Sequence, residues 1–195
     1  KQNETEFIEV FDRLSEDHDL VIVSDYGHGI ITSKVAKHIS NKDKFISLNA
    51  QINAANIGTH NIRKYHNINC LIINAGELRH EMRQRHTELI ELAAGLKEMV
   101  TAEYITVTSG SDGAFLLNDG KIQFTCPGFA VNIVDKIGAG DALLALLSVC
   151  LYSDIEEDLA LFIASLAAAQ SVESIGNSKP VSKVELLKTI LHSLK

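Results

Sequence analysis

Clustered basic charge is missing from this 195-residue sequence: 18 Lys and Arg stand against 25 Asp and Glu, for a formal net charge of −7. A surface that follows nucleic-acid phosphates needs Lys and Arg gathered together. The densest basic stretch, Arg79 to Arg85, is interrupted by Glu81 and reads as a solvated helix face. Nucleic acid is therefore not expected as a partner. ATP is still allowed, because backbone N–H groups and a metal can hold it. Cysteine is scarce and odd in number. Cys70, Cys126 and Cys150 lie far apart in apolar surroundings, which suits reduced thiols in a cytoplasmic protein better than a disulfide framework. No metal-ligand spacing includes them, and the eight His form no H-x-x-x-H pair beside a carboxylate. No apolar run is long enough to cross a membrane, and the opening KQNETEF is not a signal peptide. Repeats and low-complexity linkers are absent too. With 46% hydrophobic and 22% charged residues, the chain is expected to be a single globular domain over residues 1–195.

What is present alternates. The first segment reads as an acidic amphipathic helix built on Phe7, Ile8, Val10, Phe11 and Leu14. A covering helix with no earlier strand to cross from suggests the C-terminal part of a longer protein. Leu20–Ser24 is a short apolar run of the kind buried on both faces of a parallel sheet. A helix over about Ser33–Ser40, with Ser33 as its cap, leads to a strand at Phe45–Leu48 and a polar stretch at Asn49–Asn61. Then come a strand Cys70–Ile73, one or two helices over Glu77–Val100, and a strand Tyr104–Thr108. Crossovers of this length imply a parallel sheet. Gly113–Asn118 and Lys121–Thr125 flank Asp119-Gly120, a strong hairpin signal. A short strand near Val131–Val134, a buried helix over Ala142–Leu151 that is apolar on every side, and helices at about Ile155–Ser174 and Val181–Leu194 complete the expectation.

The segment richest in chemistry is Asp135-Lys136-Ile137-Gly138-Ala139-Gly140-Asp141. Two glycines one residue apart let the backbone turn tightly and present successive N–H groups at a helix N-terminus, a geometry that holds an anion. A carboxylate beside a bound phosphate is electrostatically odd unless Asp141 accepts a proton from a hydroxyl attacking that phosphate. An ordinary helix cap remains open as an alternative. A dinucleotide fingerprint does not fit, because Leu143 stands where a third small residue is needed, and no Walker P-loop is present.

These residues resemble the D-x-x-G-A-G-D signature of the ribokinase/PfkB carbohydrate kinases. The resemblance implies that Gly138, Ala139 and Gly140 form the anion hole and that Asp141 is the catalytic base. Asn74-Ala75-Gly76-Glu77 resembles the family's N-x-x-E motif, which makes Asn74 and Glu77 the residues that organise Mg²⁺ and phosphate largely through water. Thr108-Ser109-Gly110-Ser111-Asp112-Gly113 is similar to the family's T-x-G-x-x-G turn, assigning Thr108, Ser109, Gly110 and Gly113 to the nucleotide. Ala167, Ala168, Ser171, Ile175 and Gly176 match the small-residue helix and turn that border adenine, although close helix packing asks for the same residues. Ser24-Asp25-Tyr26-Gly27-His28-Gly29 resembles the S-D-Y-G-K-G segment of bacterial heptose-phosphate kinases. Here His28 replaces a Lys, and Asn49-Ala50-Gln51 stands where Asp-Pro-Lys is expected, so two cations are lost.

The resemblance implies a ribokinase-like three-layer αβα fold with a mostly parallel sheet, corresponding to the second half of a family member without its N-terminal part and lid. It implies a transferase: an ATP- and Mg²⁺-dependent kinase acting on a hydroxyl of a sugar or sugar phosphate. Further N-terminal or fused domains in the parent, a homodimer, and inactivity of the isolated fragment are also expectations. Two alternatives stand beside this reading. One is a nucleotide-binding regulatory domain that has lost catalysis; the other is a related kinase of vitamins or nucleosides.

Overall fold

In the computed structural model, residues 2–51, 56, 61–118, 121–130 and 132–193 are described. Six strands form one sheet in the order β1-β2-β3-β4-β5-β6, within a three-layer, mostly parallel α/β architecture. The strands are β1 (Leu20–Asp25), β2 (Phe45–Ala50), β3 (Ile68–Asn74), β4 (Ala102–Thr108), β5 (Ala114–Asn118) and β6 (Lys121–Cys126). Among the described residues seven α-helices accompany them: α1 (Gln2–Ser15), α2 (Ser33–Ser40), α3 (Ala75–Glu81), α4 (Leu89–Val100), α5 (Ala139–Tyr152), α6 (Glu157–Ser171) and α7 (Lys183–Ser193). The hairpin turn expected at Asp119-Gly120 lies outside the described residues. The described chain divides into two compact units. One is Lys1–Val107 with Leu117–Lys121, and the other is Thr108–Leu116 with Ile122–Lys195.

In the first unit, β1 pairs parallel with β2 from Leu20↔Phe45 to Asp25↔Ala50, and β2 pairs parallel with β3 from Ser47↔Cys70 to Asn49↔Ile72. Ile46, Leu48, Leu71 and Ile73 are wholly buried, as the two covered faces of a parallel sheet require. β1 departs from the expected two-sided burial. It is an edge strand, and Ile22 remains 41% exposed. The cap of α2 is Thr32 rather than Ser33; its hydroxyl accepts the Val35 N–H at 3.4 Å. α1 is tied to α2 by polar contacts. Thr32 donates to Glu4 at 2.7 Å, and the Asp12 carboxylate meets His38 Nε2 at 2.7 Å and Lys42 Nζ at 2.6 Å. Hydrogen bonds from Lys42 and His38 hold the Asp12 carboxyl below the usual carboxylate range.

In the second unit α5 packs on α6, with Leu143, Leu144 and Leu147 buried on one helix and Ala160, Ala164 and Ala167 buried on the other. Small side chains on α6 let the helices approach closely. α5 is not apolar-buried all round as expected, since Val149 is half exposed. The strand expected near Val131–Val134 does not form among its described residues 132–134. The N–H groups of Val134 and Asp135 instead donate to the Val172 carbonyl at 2.9 and 3.1 Å. The loop is therefore anchored to the C-terminal end of α6, and a sheet ladder has no claim on it.

Candidate active site

The second unit carries the loop that opens α5. Gly138 takes φ +89° at the N-cap, a left-handed conformation that favours glycine. The helical ladder begins with Ala142 N–H donating to Gly138 O at 2.9 Å, and no side chain caps the helix. The N–H groups of Ala139, Gly140 and Asp141 therefore precede the ladder at the positive end of the helix dipole. A Cβ built on Gly140 would meet nothing within 4 Å, so packing within the protein does not demand glycine there. Asp141 lies exposed in the first turn.

Asp135 shapes this loop. One carboxylate oxygen accepts Ile137 N–H at 3.0 Å, and the other accepts Gly176 N–H at 2.9 Å. These backbone bonds, from Ile137 and then Gly176, keep its carboxyl below the ordinary range. The contact brings the Gly138–Asp141 loop beside the turn at Ile175–Asn177, where Gly176 has φ +56°. Ser171 and Ala167 are buried on α6, while Ile175 is 71% exposed. The residues expected around the anion hole and those expected around adenine thus lie in one unit, with Asp135 as the bridge.

Thr108 ends β4, and Ser109 and the 3-10 turn Gly110–Asp112 follow. Ser109 N–H donates to Gly113 O at 2.7 Å, closing the turn on itself. Its two glycines have different reasons. At Gly113, φ is +92° and an added Cβ would stand 2.0 Å from the Cys126 carbonyl oxygen, so the fold itself demands glycine. At Gly110, φ is +61° but the space around it is open.

Asn74 and Glu77 belong to the first unit. They form a reciprocal capping box at the start of α3: Glu77 N–H donates to Asn74 Oδ1 at 2.9 Å, and Asn74 N–H donates to Glu77 Oε2 at 3.1 Å. Among the described residues no group of three or more His, Cys, Asp or Glu could cage a metal. One carboxylate beside a carboxamide still fits Mg²⁺, which keeps several waters and takes most remaining ligands from substrate phosphates.

The turn after β1 holds a cluster that local sequence did not reveal. Asp25, 5% exposed, receives Tyr65 OH and Lys64 Nζ, each at 2.7 Å, and the Gly27 N–H at 2.9 Å. Burial pushes the Asp25 carboxyl up, but the bonds from Lys64, Tyr65 and Gly27 outweigh it and leave the group below its ordinary value. Burial and the adjacent carboxylate push the Tyr65 hydroxyl far up. Lys64 and Tyr65 stand 39 and 40 positions along the chain from Asp25, in the crossover between β2 and β3, so no local motif shows the relation. His28 is exposed and stacks on Tyr26, with centroids 6.4 Å apart.

The model of the pfkB family carbohydrate kinases matches residues 3–184. The chain belongs to that family. The bifunctional protein HldE of Campylobacter jejuni is 33% identical over 178 residues, covering 89% of this chain and 37% of its own length. As a pfkB-family chain it also shares its fold with solved ribokinases. The ribokinase of Thermotoga maritima superposes with a TM-score of 0.73 at 19% identity, covering 93% of this chain and 59% of its own. The ribokinase of Arabidopsis thaliana, solved with ribose and ATP, gives 0.74 at 20% identity, covering 92% and 58%. The chain thus spans just over a third of the HldE chain and about three-fifths of the ribokinases. Among the described residues, no helix is long and apolar enough to cross a membrane.

Proposed function

We propose that this chain carries the phosphoryl-transfer half of an ATP-dependent kinase whose acceptor is a hydroxyl of a sugar or sugar phosphate, with a heptose phosphate as the leading candidate. The observation that carries the reading is the uncapped opening of α5, with open space at Gly140 and a carboxylate at Asp141. A glycine inside a helix costs about 1 kcal/mol relative to alanine, and a close-approaching phosphoryl group explains keeping one there. Asp141 takes the proton of the attacking hydroxyl. The N–H groups of Gly138, Ala139, Gly140 and Asp141 stabilise charge on the phosphoryl oxygens. The turn Thr108–Gly113 and the segment from Ala168 through Ser171 to Gly176 wall the nucleotide. Asn74 and Glu77 would hold hydrated Mg²⁺, which when bound neutralises phosphate charge.

Loss of the cations at His28 and Gln51 favours a second reading, a nucleotide-binding domain without turnover. Asp141→Asn in the full-length parent separates the two. Under the kinase reading ATP binding persists while transfer falls by about 10²–10⁴. Activity within a few-fold of wild type removes Asp141 from the mechanism. The isolated 195-residue chain is expected to bind ATP weakly without turning over sugar. Positioning an acceptor accounts for roughly 7–11 kcal/mol of a barrier, and the relatives carry much sequence outside the match.

A further inference from the structure

Asp25 and Lys64 form an ion pair whose side chains are 4% and 11% exposed. Replacing such a pair by well-packed apolar groups is often neutral or stabilising, because desolvation offsets the attraction. Stability alone is therefore a weak reason for keeping it. Its geometry is a stronger one. Lys64 Nζ also donates to the Ile31 carbonyl at 2.6 Å. One ammonium thus joins the residue where the turn after β1 begins to the residue where it ends. Between them Gly27 and Gly29 have φ of +68° and +85°, so the backbone there has little steric restraint of its own. Asn56 Nδ2 donates to Tyr26 O at 3.2 Å and Gln51 O at 2.8 Å, adding another tie from a distant side chain. The turn presents outward Ile30, 69% exposed, and Tyr26, 45% exposed and stacked on His28, at the carboxyl end of a parallel strand, where α/β sheets receive ligands.

We propose that Lys64 is a positioning residue: by clamping Asp25 to Ile31 it holds the Tyr26–Ile31 turn in shape to receive the acceptor. An aromatic face beside an imidazole suits a sugar, with ring C–H groups against Tyr26 and a hydroxyl or phosphate oxygen bonded to His28. The acceptor half of this proposal rests on the kinase reading; the clamp itself does not.

The test uses the full-length parent with Lys64→Met, Lys64→Arg, and the double variant Lys64→Met/Asp25→Asn, which avoids a lone buried carboxylate should the single change fail to fold. Amide hydrogen exchange at residues 26–31 is read beside kcat and KM, the acceptor being the best-used member of a panel of sugar phosphates. Expected are about tenfold faster exchange confined to the turn and about a tenfold rise in acceptor KM with ATP KM nearly unchanged, with Arg restoring most of both. Unchanged exchange in the Met variants overturns the clamp. A loosened turn with unchanged acceptor KM overturns its role in binding, and so does an equal rise in ATP KM. If wild type turns over no panel member, the kinase reading falls, and the exchange measurement still decides whether Lys64 holds the turn.

Discussion

Gly140 and Gly113 are both glycines of the candidate site, yet a methyl group has opposite consequences at the two positions. At Gly140 it enters open space within the first turn of α5. Gly140→Ala should therefore leave the melting temperature unchanged or raise it slightly, by up to about 1 kcal/mol of stability, while phosphoryl transfer falls because the backbone no longer reaches the phosphate. Loss of both together in calorimetry and a coupled assay would mean that the glycine serves packing. At Gly113 the same methyl meets the Cys126 carbonyl, and the backbone is left-handed as well. Gly113→Ala should cost about 1–3 kcal/mol in denaturant unfolding. Asp25 adds a pH dependence. Its folded pKa lies below the unfolded value of about 3.9, so its contribution is complete above that value and disappears as pH falls through the folded pKa. Asp25→Asn should flatten the stability–pH curve below about pH 4. An unchanged slope there would place the acid sensitivity elsewhere. The two glycines of the turn were legible as a spaced pair, but which one the fold demands was not. That depends on Cys126, a neighbour only once β6 returns.

Among the elements, α3 offers the sharpest separation of structure from chemistry. Its start is a capping box, and glutamine serves in that box as well as glutamate. Glu77→Gln should keep the helix start and the melting temperature, yet raise the Mg²⁺ concentration needed for half-maximal rate. Asn74→Ala, by contrast, should lower stability by about 0.5–2 kcal/mol through loss of the cap. If Glu77→Gln leaves the Mg²⁺ dependence unchanged, the motif is a helix start and nothing more. Long apolar runs are the readable elements: β3 and α5 stand close to the expected Cys70–Ile73 and Ala142–Leu151, and α3 and α4 share the stretch expected to hold one or two helices over Glu77–Val100. Val131–Val134 reads as a strand because three of its four residues are β-branched, a pattern that says nothing of where the backbone hydrogen bonds go. Here the Val134 N–H goes to the Val172 carbonyl, and Ile133 and Val134 stay about half exposed. Sequence does not separate Thr32 from Ser33, because two adjacent hydroxyl residues can each cap a helix and only the fold makes Thr32 the extended one.

For the whole molecule, the sheet order was inferable as parallel and mostly buried, but the identity of the edge was not. β1 lies at one end of the order, and with α1 it lines an apolar groove of about 490 Å³ that includes Phe7, Val10, Leu14 and Ile22. An edge strand beside exposed apolar surface invites pairing with another chain. The isolated 195-residue chain is expected to self-associate in sedimentation, and Ile22→Lys to reduce that. A chain that stays monomeric at high concentration would show the edge to be adequately protected. The three cysteines extend this to folding. All are buried, Cys70 completely, and burial pushes the Cys70 thiol up to about 12, so labelling by a thiol reagent is expected to follow opening of the chain around them. Cys70 belongs to one compact unit, Cys126 and Cys150 to the other. The wild-type sequence therefore contains its own stopwatches. A single labelling rate for all three would mark one cooperative opening, whereas a Cys70 rate apart from the other two would time two halves that come undone separately.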